Sequence, residues 1–149
     1  MNKLAKLVMF SSALVGAQFA STAAMAQTAP TGVYSGNATV EKGIQLNCVV
    51  GLDVNSTTPG KVHVSLTAGN PFCAALSFTG NPYNYTYTPG TGPGTGTFTV
   101  HGVYVNTITA GDCSGDISAT WDGTEFLIDT FLPTATPGTP DCTIVGSAS

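Results

Sequence analysis

An all-β domain of the antiparallel β-sandwich class is what this 149-residue chain predicts, and three observations carry that prediction. Apolar residues recur at every second position in run after run. Eighteen Gly and nine Pro punctuate those runs, and four Cys are spread along a chain that opens with an export-type leader. Alternation at period two sends one set of side chains into a core and the other to solvent, whereas a helix would scatter the same residues around its circumference. Gly and Pro at this density end helices and favour turns. About eight or nine short strands at such spacing fit an immunoglobulin-like or jelly-roll-like sandwich with two disulfides, or a small barrel, better than any parallel sheet.

Residues 1–26 carry the leader. Lys3 and Lys6 precede an apolar stretch from Leu7 to Ala20, and Ala24, Met25 and Ala26 supply a small-residue site, so a signal peptide cleaved between Ala26 and Gln27 is expected. Ser11, Ser12, Gly16 and Gln18 interrupt the stretch, which falls short of the roughly 20 residues a spanning helix needs. Export without a remaining transmembrane segment follows, to the outside of the cell or the periplasm.

Residues 27–43 have Val33, Tyr34, Ala38 and Val40 as their sizeable apolar content and read as an N-terminal arm or edge strand. Residues 44–149 then form a single sandwich domain. Its first strand puts Ile44, Leu46, Cys48, Val50, Leu52 and Val54 on one parity; Thr57 to Gly60 turn the chain, and Val62, Val64, Leu66 and Ala68 resume the alternation with His63 outside. Further strands are expected at 73–79, 83–88, 95–109 with a break near Gly102, 116–121, 124–132 and 142–145. Asp122 and Gly123 suit a two-residue type I′ hairpin, in which both central residues need positive φ. The segments 89–97 and 133–141, rich in Gly, Pro and Thr, read as flexible or protruding loops.

Cys48, Cys73, Cys113 and Cys142 make an even set in an oxidising compartment, so two disulfides are expected. Pairing of neighbours would close one strand–turn–strand segment each, and no two Cys have the spacing of a zinc knuckle. Four Lys, no Arg and eight acids exclude an electrostatic grip on nucleic acid or anionic lipid.

No catalytic residue is assigned. His63 and His101 occupy polar strand phases, no G-x-S-x-G elbow accompanies them, and a secreted hydrolase ranks last among the readings. Asp122 and Glu125 flank a hairpin, the ordinary place for exposed acids. Asp112 and Asp116 bracket a Gly-containing turn but miss the spacing of a calcium loop, and the Gly-rich 89–97 segment lacks a phosphate loop's Lys, so neither metal nor cofactor is expected. Tyr83, Tyr85 and Tyr87 share one strand face and form a ladder of amphipathic rings. Such a ladder is the candidate contact surface for apolar material, carbohydrate or another subunit, although it would equally cover a core.

The order LNCVVGLDV, GNPFCAALSFTG, NPYNYTYTP, HGVYVNTITAGDCSGDISATWDG and DCTIVG, from Gly43 to Gly146, resembles the small secreted bacterial protein activators of alkane oxidation. The four cysteines in order, the CSG with its following strand and Trp121, and the terminal CTI carry the resemblance. It implies a non-enzymatic extracellular factor that assists growth on hydrocarbons or associates with the cell surface or matrix, with no catalytic residues to transfer. A second expectation, from low charge and the loose 27–43 segment, is self-assembly into a fibre or biofilm matrix by strand addition.

Overall fold

Nine strands and one short 3₁₀ turn make up the computed structural model, which describes residues 28–149; the expected leader and its cleavage point lie outside the described residues. The strands are β1 (Gly32–Glu41), β2 (Gln45–Val54), β3 (Lys61–Gly69), β4 (Ser77–Thr79), β5 (Tyr83–Pro89), β6 (Gly96–Asn106), β7 (Cys113–Trp121), β8 (Phe126–Leu132) and β9 (Cys142–Ala148). Every pairing is antiparallel. Around the ring, β1, β2, β3, β5, β6, β7, β8 and β9 each pair with the next, and β9 returns to β1. The short β4 lies outside this ring, paired to the far half of β6.

The molecule is therefore a closed, eight-stranded up-and-down barrel, and the expected sandwich is corrected. Alternation alone could not separate the two, because both architectures bury one face of every strand and wet the other. The pairing of β1 with β9 decides it, with Ala38 opposite Gly146 and Val40 opposite Ile144. Residues 27–43, expected as an arm or edge strand, contribute a ten-residue strand hydrogen-bonded on both sides. Gly36 and Gly146 let the first and last strands meet. A Cβ on Gly146 would lie 2.6 Å from the Ala38 Cα, closer than real packing allows.

Most of the parity expected inside is inside, but Ile44, which precedes β2, and Ala68, at positive φ, are exposed. Leu46, Val50, Leu52, Val54, Val62, Val64 and Leu66 are all buried, as are Phe98, Val100, Phe126, Ile128 and Leu132. An eight-stranded ring is just wide enough for side chains to fill, and removing a Phe or Leu of this kind from water stabilises by roughly 1.5–3 kcal/mol each. The two ends of the barrel differ. Near the β2–β3, β5–β6 and β7–β8 turns the filling is aromatic, with Phe126 5.0 Å from Tyr34, 4.7 Å from Trp121 and 5.2 Å from Phe98 between ring centroids. The opposite end is aliphatic and holds both disulfides, Cys48–Cys73 and Cys113–Cys142, with Cα atoms 5.7 and 6.2 Å apart. Loops of that length give roughly 3–4 kcal/mol per bridge on the chain-entropy account.

Local departures have local causes. Residues 73–79 are not one strand: Pro71–Ala75 form a 3₁₀ turn capped by the Asn70 side chain, and only Ser77–Thr79 are extended. The break near Gly102 is a bulge between Val100 and Val103, with Gly102 at φ +64°. Asp122 and Gly123 do not make a two-residue turn, since Asp122 lacks positive φ. Instead residues 122–125 form the loop, and the Asp122 carboxylate accepts the Thr124 and Glu125 N–H groups at 2.8 and 2.9 Å. The 89–97 segment is a closed hairpin loop, with Thr95 accepting from Gly90 N–H at 2.8 Å and from the Tyr87 hydroxyl at 2.9 Å.

Candidate functional site

Tyr83, Tyr85 and Tyr87 do share one face of β5, and it is the face turned into the barrel. Tyr83 is 5 % exposed, and its hydroxyl donates to the Thr79 carbonyl at 2.6 Å; burial pushes its pKa up against a weaker opposing backbone hydrogen bond. Tyr85 stacks on Phe98 at 4.5 Å and accepts from the Asn55 amide at 2.6 Å. Tyr87 packs on the core beside them. Of the two roles the sequence left open for the ladder, contact surface and core cover, the rings take the core-facing position, Tyr83 buried and Tyr85 and Tyr87 half-buried. Rings carry far more apolar area than the Asn84, Thr86 and Thr88 between them, so the pleat turns the rings inward.

Outside β5, a polar row crosses the wall. Thr86 Oγ1 lies 2.9 Å from His101 Nε2, and His101 Nδ1 lies 3.0 Å from Asp116 Oδ2. The order hydroxyl, imidazole, carboxylate is that of a nucleophilic triad. Its setting is an open sheet face, with the His101 and Asp116 side chains 40 % and 54 % exposed. Gly102 N–H also donates to Asp116 at 2.9 Å, so the row clamps the β6 bulge to β7. That backbone bond first, and the His101 bond second, hold the Asp116 carboxyl below its ordinary pKa. His63 stands exposed on β3, the strand next to β5, and takes no part in this row.

Asp112 and Asp116 do not converge. Asp112 accepts from the Tyr104 hydroxyl at 3.0 Å and from Thr107 N–H at 3.1 Å, while Asp116 serves the bulge. Among the described residues no three His, Cys, Asp or Glu side chains gather as a metal group. The four cysteines are all in disulfides.

The feature that composition does not explain lies on β8 and β9. In FLIDTFL, Phe126, Ile128 and Leu132 point inward together with Thr130, a polar side chain that is 7 % exposed, while Phe131 points outward at 59 %. Thr130 tolerates the interior by accepting from Ser118 N–H at 3.3 Å and donating to the Asp116 carbonyl at 3.4 Å. Leu127 (45 %) shares the outer face of β8 with Phe131, and Val145 (50 %) lies opposite Asp129 on β9, diagonal to both. Diagonal neighbours on a sheet are about 7–8 Å apart, so Val145 lies within reach of both Leu127 and Phe131, with the exposed Asp129 carboxylate between those two. Sequence reasoning missed these residues because the 124–132 segment was expected only as a strand, with no face assigned; Leu127 and Phe131, apolar on the parity opposite Phe126, Ile128 and Leu132, were the visible signal.

Among the described residues no helix is long and apolar enough to cross a membrane. No curated protein and no solved structure matches the chain. The family model described as alkane oxidation protein activator, PraA/PraB-like, covers residues 1–149, beyond the 43–146 span of the sequence resemblance. With its whole length matched, the chain belongs to the PraA/PraB-like family of alkane oxidation protein activators.

Proposed function

We propose that this chain is an exported, non-enzymatic factor that assists growth on hydrocarbons by seating the outer face of β8 and β9 on apolar material. The observation that carries the reading is the inversion on β8, where Thr130 is buried and Phe131 exposed. Sequences break the local hydrophobic rule where something other than folding is being served. Leu127, Phe131 and Val145 are single-sided, so the barrel would rest on an oil or cell-surface interface with one wall and keep the others wet. Elsewhere on the wall Ser35, Asn37, Asn84, Thr86, Thr97 and Thr120 face outward, with Val33 on β1 an apolar exception at 72 % exposed. A barrel that crosses a bilayer has the reverse arrangement, apolar outside and polar within.

Two disulfides in a closed ring fit an oxidising space outside the cytosol. Closure also favours a free-standing factor over a fibre subunit, because a ring offers a neighbour's strand little open edge. The test is the growth lag of the producing bacterium on hexadecane, with its own copy deleted and purified protein added. The wild-type protein is expected to shorten the lag, and a variant carrying Leu127→Asp, Phe131→Asp and Val145→Asp is not. An unchanged lag with the wild-type protein would overturn the proposal.

A further inference from the structure

The aliphatic end of the barrel has a mouth. Val40, Leu46, Leu76, Val105 and Ile144 form the walls of a small cavity there, and Ile44 and Ile108, 42 % and 41 % exposed, stand at its rim. Its volume is about 20 Å³, a little more than one water-sized sphere requires. A whole chain does not fit. One methyl-sized group does.

Three lining residues carry polar side-chain atoms, and each of those atoms is engaged elsewhere. The Lys42 ammonium donates to the Pro140 carbonyl and sits 3.4 Å from both Thr134 Oγ1 and the Cys113 sulfur. Thr107 donates to the Thr109 and Gly111 carbonyls at 2.9 and 3.0 Å, and Thr109 donates to the Lys42 carbonyl at 3.2 Å. What these residues offer the cavity is carbon, including the methylene stem of Lys42. A hydroxyl or carboxylate pushed inside would lose its water and find no partner. A lining of this composition favours an apolar guest over a polar one.

We propose that this mouth receives the methyl end of a linear alkyl chain, leaving the remainder of the chain outside along Ile44 and Ile108. The proposal rests on the reading of the protein as a hydrocarbon-handling factor and adds a site on a different part of the molecule from the β8–β9 wall. It makes the recognised group the chain end, so a molecule is accepted when at least one terminus is an unsubstituted methyl.

Side-chain methyl NMR of the oxidised protein tests this with three probes of equal length: n-decane, 1-decanol and 1,10-decanediol. n-Decane and 1-decanol are expected to shift the methyls of Val40, Leu46 and Leu76, and the diol, which has no methyl end, to leave them in place. Ile108→Asp at the exposed rim is expected to weaken n-decane binding at least tenfold; should that variant lose its dispersed spectrum, Ile44→Asp gives the same readout. Diol shifts equal to those of n-decane, no shifts with n-decane, or wild-type affinity in the rim variant would each overturn the proposal. A shortened growth lag with no n-decane shifts would overturn the mouth and retain the β8–β9 reading; the converse pattern would retain the mouth and overturn that reading.

Discussion

Gly146 marks where the ring closes, and its lack of a side chain is what allows β9 to approach β1. A Cβ would press on the Ala38 Cα at 2.6 Å, and on backbone that cannot swing away. Gly146→Val is therefore expected to destabilise by about 3 kcal/mol, read as a fall in the urea midpoint. Asp116 sets a pH dependence. Its folded pKa is depressed, by Gly102 N–H and then by His101, so its contribution is complete above the ordinary carboxylate value and is lost as pH falls through the lower folded value. Denaturation midpoints are expected to fall below about pH 4, and Asp116→Asn to flatten that fall. Such roles were only partly legible in the sequence. The inward parity of Val62, Val64 and Leu66 followed from period two, but Phe131 outside and Thr130 inside run against any rule based on hydrophobicity alone. Tyr83, Tyr85 and Tyr87 were visible as one face, and their inward direction was set by packing on Phe98 and the rest of the core.

The weakest joint between elements is β3 with β5, where only Lys61–Asn84 and Val62–Tyr83 pair. A side chain extends it. The Asn81 amide accepts from Val64 N–H at 3.0 Å and donates to the Val64 carbonyl at 2.7 Å, imitating the missing strand partner. Asn81→Ala should leave both backbone groups without these bonds and cost about 1–3 kcal/mol, with hydrogen exchange rising first at Val64 if the joint opens locally. Exchange unchanged at Val64 would show that the amide does not hold this seam. The β2–β3 turn was legible because Gly60 and its neighbours are strong turn formers. The joint was not, since a side-chain amide taking the place of a strand has no periodicity. For the same reason the segment from Cys73 to Thr79 looked continuous: the Asn70 cap and the Cys48 bridge bend it into a 3₁₀ turn before β4 begins.

At the scale of the whole molecule, strand order around the ring follows chain order with β4 set aside, and one pairing between the first and last strands, β1 with β9, turns the meander into a barrel. That pairing joins the beginning and end of the described chain, which is why composition, alternation and turn signals pointed to an all-β domain and stopped short of closure. With its interior largely filled by side chains, the barrel leaves its outer wall and one mouth as the surfaces to which the two proposals assign binding. The family match gives that exterior its context, in the alkane oxidation activators. The surface proposed to meet hydrocarbon is the outer wall of β8 and β9. Partition of the oxidised protein between buffer and a hexadecane interface measures this directly. The wild-type protein is expected to accumulate at the interface and the Leu127→Asp, Phe131→Asp, Val145→Asp variant to remain in the buffer with its fold intact; equal accumulation of the two would contradict it.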